Sequence, residues 1–419
     1  MQTALTVSIF ALTLILIVTR PRRLNEAWFT VSGGAAMLLL GLVTPGQAAA
    51  IVFEGRDALF FLAGLLVLAD LMRAAGFFEW AAIHAARSAK GSGPALFRNV
   101  FVLGAAVTAL LSLDTTAVML TPVVLAFVGR LNLKPRPFLF ACAFIANTGS
   151  LLLQVSNLTN LLFAGAFKWG FTTFTARMAL PQLLALGVNY LVFRRLFQRS
   201  LSAEFSEQAL PEPKTVIPDR RFFRAAVAVF IAVVIGYGIG DIFRIPPYVF
   251  AISGAILLFG VGLRLRRVNL GLFREVSWSV FPFVIGLFVV VRAMENLGLV
   301  DLVNRLMDGS HSKLLTVGIG VFGAGFGSNV VNNIPMALLS ISGLHHGADL
   351  ARYASLIGCN IGPNLTVTGS LATMLVIASA RKHGEQVSAA DFLKVGLVTT
   401  PWVLAAAAVG LLSTVWLFR

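Results

Sequence analysis

Long apolar runs alternate along this chain with short polar or basic joints. A helix needs roughly 20 apolar residues to cross a bilayer. Runs of that kind fall at about 2–19, 27–45, 57–74, 174–197, 222–242, 246–263, 277–294 and 390–416. Four other stretches depart from the pattern. Residues 99–129 hold two apolar arms of about 14–15 residues around a polar tip at Asp114, Thr115 and Thr116. Residues 314–344 follow the same plan around SNVVNNIP, with Asn332 and Asn333 at the turn. Residues 137–168 are interrupted by NTGSLLLQVSNLTN at 147–160, and residues 349–380 by IGCNIGPNLTVTGSLAT at 357–373. Irregular backbone survives at membrane depth only when it is buried in protein or lines a wet cavity. The interrupted runs therefore predict broken helices that share a substrate site. The short-armed pairs predict re-entrant hairpins, with two ordinary spans as the alternative.

The plan occurs twice. Polar residues 198–221, with Pro211, Pro213 and Pro218, read as a cytoplasmic linker between an N-terminal repeat, 1–197, and a C-terminal repeat, 222–419. Pro122 and Pro335 lie 213 positions apart, as do Asn147 and Asn360. Two amphipathic pieces also match, GFFEWAA from Gly76 and GLVDLVN from Gly298, the second covering 299–309. Both are expected at a membrane interface. Basic residues gather after the first span (Arg20, Arg22, Arg23), around the first hairpin (Arg98, Arg130, Lys134, Arg136) and at the start of the linker (Arg194, Arg195, Arg199). By the positive-inside rule these joints are cytoplasmic. Counting spans then places the second hairpin, flanked by Asp301 and Asp308, outside. The expected fold is an all-α polytopic membrane protein of two inverted repeats, the architecture of secondary transporters.

Composition fits this reading. Of 419 residues, 58% are hydrophobic and 12% charged, and mean hydropathy is +0.86. Continuous runs rather than alternation exclude a membrane barrel. The net charge of +15 sits in short clusters between spans, so nucleic-acid binding is not expected. Cys142 and Cys359 have neither disulfide nor metal-ligand spacing. No G-x-x-x-x-G-K-[ST] loop occurs, so the chain reads as a transporter without enzymatic activity, resident metal or cofactor. The first 19 residues lack a basic start and a cleavage site and are expected to be a retained helix.

The order SLDTTAVMLTP, VSNLTN, NNIP, then IGCNIGP followed by GSLAT resembles the arsenical pump membrane protein family of the ion transporter superfamily, along the whole chain. The resemblance implies export of arsenite and antimonite across the bacterial inner membrane in exchange for protons, in some members with a cytoplasmic ATPase partner. It also implies inverted repeats with re-entrant hairpins. The match has gaps. Leu113 replaces the asparagine of an N-D-G-A-A tip, Asn147 stands where A-D-T-A-S has an acid, and Asn360 and Asn364 stand where C-D-L-G-P-K has Asp and Lys. Asp114 is thus the best remaining intramembrane acid and the candidate for proton coupling; a helix cap is its rival role.

Arsenous acid is a small neutral trihydroxide, so its site needs donors and acceptors rather than a counter-charge. The candidates are Thr115, Thr116, Asn147, Ser156, Asn157, Asn160, Asn332, Asn333, Cys359, Asn360, Gly369, Ser370 and Thr373. Any one asparagine could instead cap a helix or join two helices. Cys359 adjoins the second break, and trivalent arsenic is thiophilic; a small packing residue is the alternative. Arg73 and Arg292 end two spans and are expected to snorkel outward, and His345 and His346 to lie in a solvated outer loop. The rival functions are a sodium/proton antiporter, a sodium-coupled carboxylate or anion transporter, and a channel-like facilitator for neutral hydroxides.

Overall fold

The computed structural model describes residues 2–19, 21, 24–298, 312–344 and 348–417. Helices make up most of the described backbone. Among the described residues there is no named strand, only an isolated bridge between Ser92 and Glu204. Arg20, Arg22, Arg23, the amphipathic piece at 299–309 with Asp301 and Asp308, and His345 and His346 lie outside the described residues.

In chain order the helices are α1 (Gln2–Thr19), α2 (Glu26–Leu39), α3 (Pro45–Glu54), α4 (Arg56–Ala74) and α5 (Phe77–Arg87). The first hairpin is α6 (Gly93–Leu110) and α7 (Leu113–Arg130). The first broken helix is α8 (Arg136–Thr148) and α9 (Leu158–Phe167), followed by α10 (Phe171–Leu196). The second half holds α11 (Arg220–Phe243), α12 (Pro247–Arg264) and α13 (Val280–Asn296). Its hairpin is α14 (Lys313–Val331) and α15 (Asn333–Gly343). Its broken helix is α16 (Asp349–Ile361) and α17 (Leu371–Lys382), and α18 (Ala389–Leu417) ends the chain.

Seven of the described helices are long and apolar enough to cross a membrane, or up to eight when α4 and α5, bent by 62°, count as one span. The fold is thus an all-α polytopic membrane protein. The bend follows from Gly76, whose φ of +81° is the left-handed conformation that glycine adopts without a Cβ clash. Gly298 has the same conformation, φ +76°, at the matching point after α13.

Three expectations change. The run expected at 27–45 ends at Leu39, and a separate helix α3 follows. Thr44 starts it with a capping box, accepting from the Gln47 amide at 3.2 Å and donating its own backbone N–H to Gln47 Oε1 at 3.0 Å. The arms of the first hairpin are 18 residues each, not 14–15, and each can cross. Ser92 caps α6 well before the expected start, and α7 continues through a π turn at Thr116–Leu120. Of the second pair, α14 has 19 residues and α15 only 11.

The third change concerns the offset. The broken helices keep the spacing of 213: α8 and α16 end at Thr148 and Ile361, and α9 and α17 are capped by Asn157 and Ser370. The hairpin tips do not. Ser112 caps α7 and Asn332 caps α15, 220 positions apart. Pro122 lies ten residues past its cap and Pro335 three past its own. Proline is tolerated where its missing N–H is not needed. For Pro335 that is the first turn of α15; for Pro122 it is the second residue after the π turn. The two prolines therefore do not mark equivalent points.

Close backbone contacts hold the helices. Gly286 of α13 meets the backbone of Thr30 and Val31 in α2, Gly64 of α4 meets Ala251 and Ile252 in α12, and Gly410 of α18 meets Pro181 in α10. Helix α2 thus packs on α13 as α12 packs on α4. Small residues at crossings let backbones approach and gain dispersion contact, the main source of cohesion between helices in lipid.

Candidate functional site

Four helices begin at the two tips and the two breaks, and each is capped from within its own sequence. Ser112 Oγ accepts from the Thr115 amide and Ser370 Oγ from the Thr373 amide, both at 3.1 Å. Asn157 Oδ1 accepts from the Thr159 amide at 3.2 Å and Asn332 Oδ1 from the Ile334 amide at 3.4 Å. These caps satisfy part of the unpaired donor set at each helix start.

The residues at these starts meet. Leu113 and Asp114 of α7, Asn157 and Leu158 of α9, Asn333 and Ile334 of α15, and Leu371 of α17 line one cavity of about 20 Å³. Leu62 of α4 and Val280 of α13 complete it. Its size suits about one water. Helix N-termini carry partial positive charge and free N–H groups, so four of them surround the one ionisable lining residue, Asp114. Among the described residues its carboxylate takes no hydrogen bond or ion pair. Asn333 contributes a buried Oδ1 without a partner.

Most of the other polar candidates bind one another. Asn360 Oδ1 accepts from Asn157 Nδ2 at 3.1 Å and from Thr159 Oγ1 at 2.5 Å, and Asn360 Nδ2 donates to Asn160 Oδ1 at 2.6 Å. Asn160 also donates to the Ser150 and Leu153 carbonyls, at 2.7 and 2.8 Å. Asn147 Nδ2 donates to Asn364 Oδ1 at 2.9 Å and Thr373 Oγ1 at 3.0 Å. All are buried. This amide network joins the broken helices directly, and neutral amides can satisfy each other where facing acids would repel.

The remaining candidates hold local geometry. Thr115 shares its hydroxyl with Ser112 at 3.0 Å, and Thr116 with Thr108 across the first hairpin at 2.7 Å. Ser156 donates to the Ala109 carbonyl at 2.7 Å. Asn332 reaches the Thr368 carbonyl at 3.1 Å, and the Asn333 amide donates to the Gly369 carbonyl at 2.9 Å. A Cβ on Gly369 would lie 2.6 Å from Pro363 Cα, so the second tip and second break require glycine there. Ser370 and Thr373 also share their hydroxyls, at 3.0 Å.

Cys359 is not among the residues lining this cavity; it is buried with Leu356, Ile357 and Ala324 in an apolar cluster. It precedes Asn360 by one residue, and a helix turns about 100° per residue, so only Asn360 faces the first break. Arg73 and Arg292 are both ion-paired. Arg73 pairs with Asp70 at 2.9 Å and with Glu275, and Arg292 pairs with Glu295 at 2.8 Å. A carboxylate one turn away on the same helix holds each guanidinium.

Several residues were not among the sequence candidates. Leu62 and Val280 carry no polar signal. Asn364 completes the amide network through Thr148 Oγ1 at 2.9 Å. Gln182 of α10 accepts from the Leu151 amide at 2.8 Å and donates to the Thr148 carbonyl at 3.0 Å; a lone glutamine inside a span was its signal. Asn329, within the quoted SNVVNNIP, accepts from the Thr366 amide at 3.0 Å and donates to the Gly325 and Gly362 carbonyls, each at 2.8 Å. No group of three or more His, Cys, Asp or Glu residues that could hold a metal occurs among the described residues.

Comparison with known proteins follows the same lines. A sequence model described as arsenical pump membrane protein matches residues 5–417. The chain is 33% identical over 410 residues to the arsenical pump membrane protein of Yersinia enterocolitica, with 95% of each chain covered. It is 31% identical over 410 residues to that of Escherichia coli K12, again with 95% of each covered. Among solved structures it is similar in fold to the YdaH transporter of Alcanivorax borkumensis, with a TM-score of 0.57 at 14% identity, covering 96% of this chain and 97% of that one. MtrF of Neisseria gonorrhoeae, described as illuminating a class of antimetabolite efflux pumps, gives 0.56 at 12% identity, covering 97% and 94%. A bundle built around broken helices, matched to one family along nearly its full length, belongs to the arsenical pump membrane protein family of transporters.

Proposed function

We propose that this protein exports arsenite and antimonite across the bacterial inner membrane in exchange for protons, with cargo and proton meeting at the Asp114 cavity. The observation that carries the reading is the convergence of four helix starts on a cavity whose one ionisable lining residue is an unpartnered carboxylate. A neutral hydroxide can donate to Asn333 Oδ1 and accept from backbone N–H groups at the helix starts. Asp114 supplies one proton-binding group beside it. The apolar walls oppose its charge and the helix ends favour it, so its charge can respond to cargo arriving or leaving.

Two inverted repeats with re-entrant hairpins complete the scheme. The 213-residue spacing of the broken helices supports the repeat, and the 11 residues of α15, too few to cross, support re-entry of the second hairpin. A cavity of about 20 Å³ is too small for the trihydroxide, so one hairpin has to move against its broken helix for cargo to enter. The name carried by the relatives in Yersinia enterocolitica and Escherichia coli supports the cargo class. A sodium/proton antiporter would call for more acids at the site than Asp114.

The test is arsenite uptake into everted vesicles, with and without a proton gradient, for the wild type and Asp114→Asn. The reading expects uptake that collapses with the gradient and falls at least tenfold in the variant. Accumulation indifferent to the gradient would sink it.

A further inference from the structure

A second, larger cavity of about 700 Å³ is lined by several of the same helices. Each shared helix contributes residues to both. On α9, Leu158 lines the small cavity while Leu161, Leu162 and Gly165 line the large one. On α15 the division falls between Asn333 and Ile334 on one side and Leu338 and Ser342 on the other. On α4 it falls between Leu62 and the first turn, Arg56–Ala58. A buried layer separates them: Leu158, Leu162, Ile334, Leu338 and Phe288 belong to one apolar cluster.

The large cavity is rich in charge. Glu54, Arg56, Asp57, Arg292 and Glu295 all line it. Glu295 is engaged twice, by Arg292 at 2.8 Å and by the Ser342 hydroxyl. Arg292 keeps a buried Nε with no partner. Ser342 stands in the last turn of α15, whose first residues line the Asp114 cavity. The two ends lie about 13 Å apart at 1.5 Å per residue, joined by three turns of rigid helix. Glu295 therefore holds the far end of the element that roofs the small cavity.

We propose that the large cavity is the outward release site for the neutral hydroxide cargo, in series with the Asp114 cavity, and that Glu295, by holding Ser342, latches α15 across the layer between them. The cargo class and the outward orientation rest on the exchange reading above. Guanidinium donors and carboxylate acceptors suit a molecule that both accepts and donates hydrogen bonds. Their spread over a wide cavity gives weak, multiple contacts, which favours release.

The latch is tested by cysteine accessibility in the full-length protein carrying Cys142→Ala and Cys359→Ala. In right-side-out vesicles a membrane-impermeant maleimide should label Ala166→Cys, at an exposed position lining the large cavity, readily and the buried Ile334→Cys slowly. Adding Ser342→Ala should speed labelling of Ile334→Cys at least tenfold and leave Ala166→Cys unchanged. Ser342→Thr, which keeps the hydroxyl, should leave Ile334→Cys slow. An unchanged Ile334→Cys rate in Ser342→Ala overturns the latch, and labelling of Ala166→Cys only from the cytoplasmic face overturns the outward site. Labelling needs neither arsenite nor a gradient, so these results stand apart from the fate of the exchange reading. The release site is tested by arsenite–arsenite exchange in proteoliposomes. Asp57→Asn with Glu54→Gln should raise the KM for external arsenite at least fivefold and leave the internal KM unchanged; equal or absent effects overturn it.

Discussion

Asn360 donates its side-chain amide to Asn160 Oδ1 at 2.6 Å, joining two helices 200 positions apart in the chain. The same Asn360 accepts from Asn157 and Thr159 through its oxygen. One residue thus closes the centre of the protein between its two broken helices.

Asn360→Ala should therefore be costly. It strands Thr159 Oγ1 and Asn160 Oδ1 in a dry interior and leaves Asn157 Nδ2 with Ser150 Oγ alone, and each lost partner costs on the order of 1 kcal/mol or more. The expected loss is about 3 kcal/mol, read as a lower denaturation midpoint in detergent. An unchanged midpoint would mean that water replaces the lost amide and that the break is wetter than its contacts suggest.

Asp114 has the opposite character. Its carboxylate takes no partner among the described residues, so Asp114→Asn removes a half-buried charge without breaking a bond. Thermal stability in detergent should stay level or rise, while gradient-driven uptake falls. A variant that lost stability along with transport would reveal a structural bond to Asp114 in the folded protein.

Gly362→Ala should destabilise by about 1–3 kcal/mol through overpacking. The added Cβ would collide with the backbone of Gly325, including its carbonyl carbon at 2.7 Å, and backbone cannot swing aside as a side chain can. Gly187→Ala is the control. Nothing lies within 4 Å of its Cβ position, and helix propensity favours alanine by up to about 1 kcal/mol. Equal effects at the two sites in a thermal denaturation series would contradict close packing of the second hairpin on α16.

Asp219 gives a pH dependence at the linker. Outside the spans, it caps α11 by accepting from the Arg221 and Phe222 amides at 2.8 and 2.9 Å, and it pairs with Arg267 at 3.1 Å. The Phe222 N–H, followed by the Arg221 N–H and the Arg267 charge, holds its carboxyl below the usual value. A depressed folded pKa adds stability that is complete above the unfolded value of about 4 and fades as pH falls through the folded value. The stability gap between wild type and Asp219→Ala should be constant near neutrality and narrow below about pH 4. Denaturation midpoints across that range provide the measurement, and a gap that widens on acidification would reverse the sign.

Much of this site can be read in the sequence because its signals are local. Ser112 with Thr115 and Ser370 with Thr373 share the S-x-x-T spacing, and both form the same cap. Asn147 and Asn360 mark the ends of two helices at a fixed offset, and both do end there. The proline offset misled because proline fits two unrelated places, a first helical turn and the second residue past a π turn. Arg73 and Arg292 each carry a partner that the expectation did not weigh, the acid one turn away on the same helix. The matched glycines carry the comparison further: Asp70 and Arg73 precede Gly76 at the spacing by which Arg292 and Glu295 precede Gly298, so one ion pair occurs twice with its charges reversed.

Run length, break composition and basic joints determined by themselves that the chain lives in lipid and where two of its helices break. Those properties come from hydrophobic transfer and capping, which act over a few residues. Which polar groups face the Asp114 cavity and which face each other was decided only by packing. A helix turns about 100° per residue, so Cys359 and Asn360 look in different directions. The register between α9 and α16 is set by contacts across 200 positions. Leu62 and Val280 became part of a site only because four helix starts meet beside them.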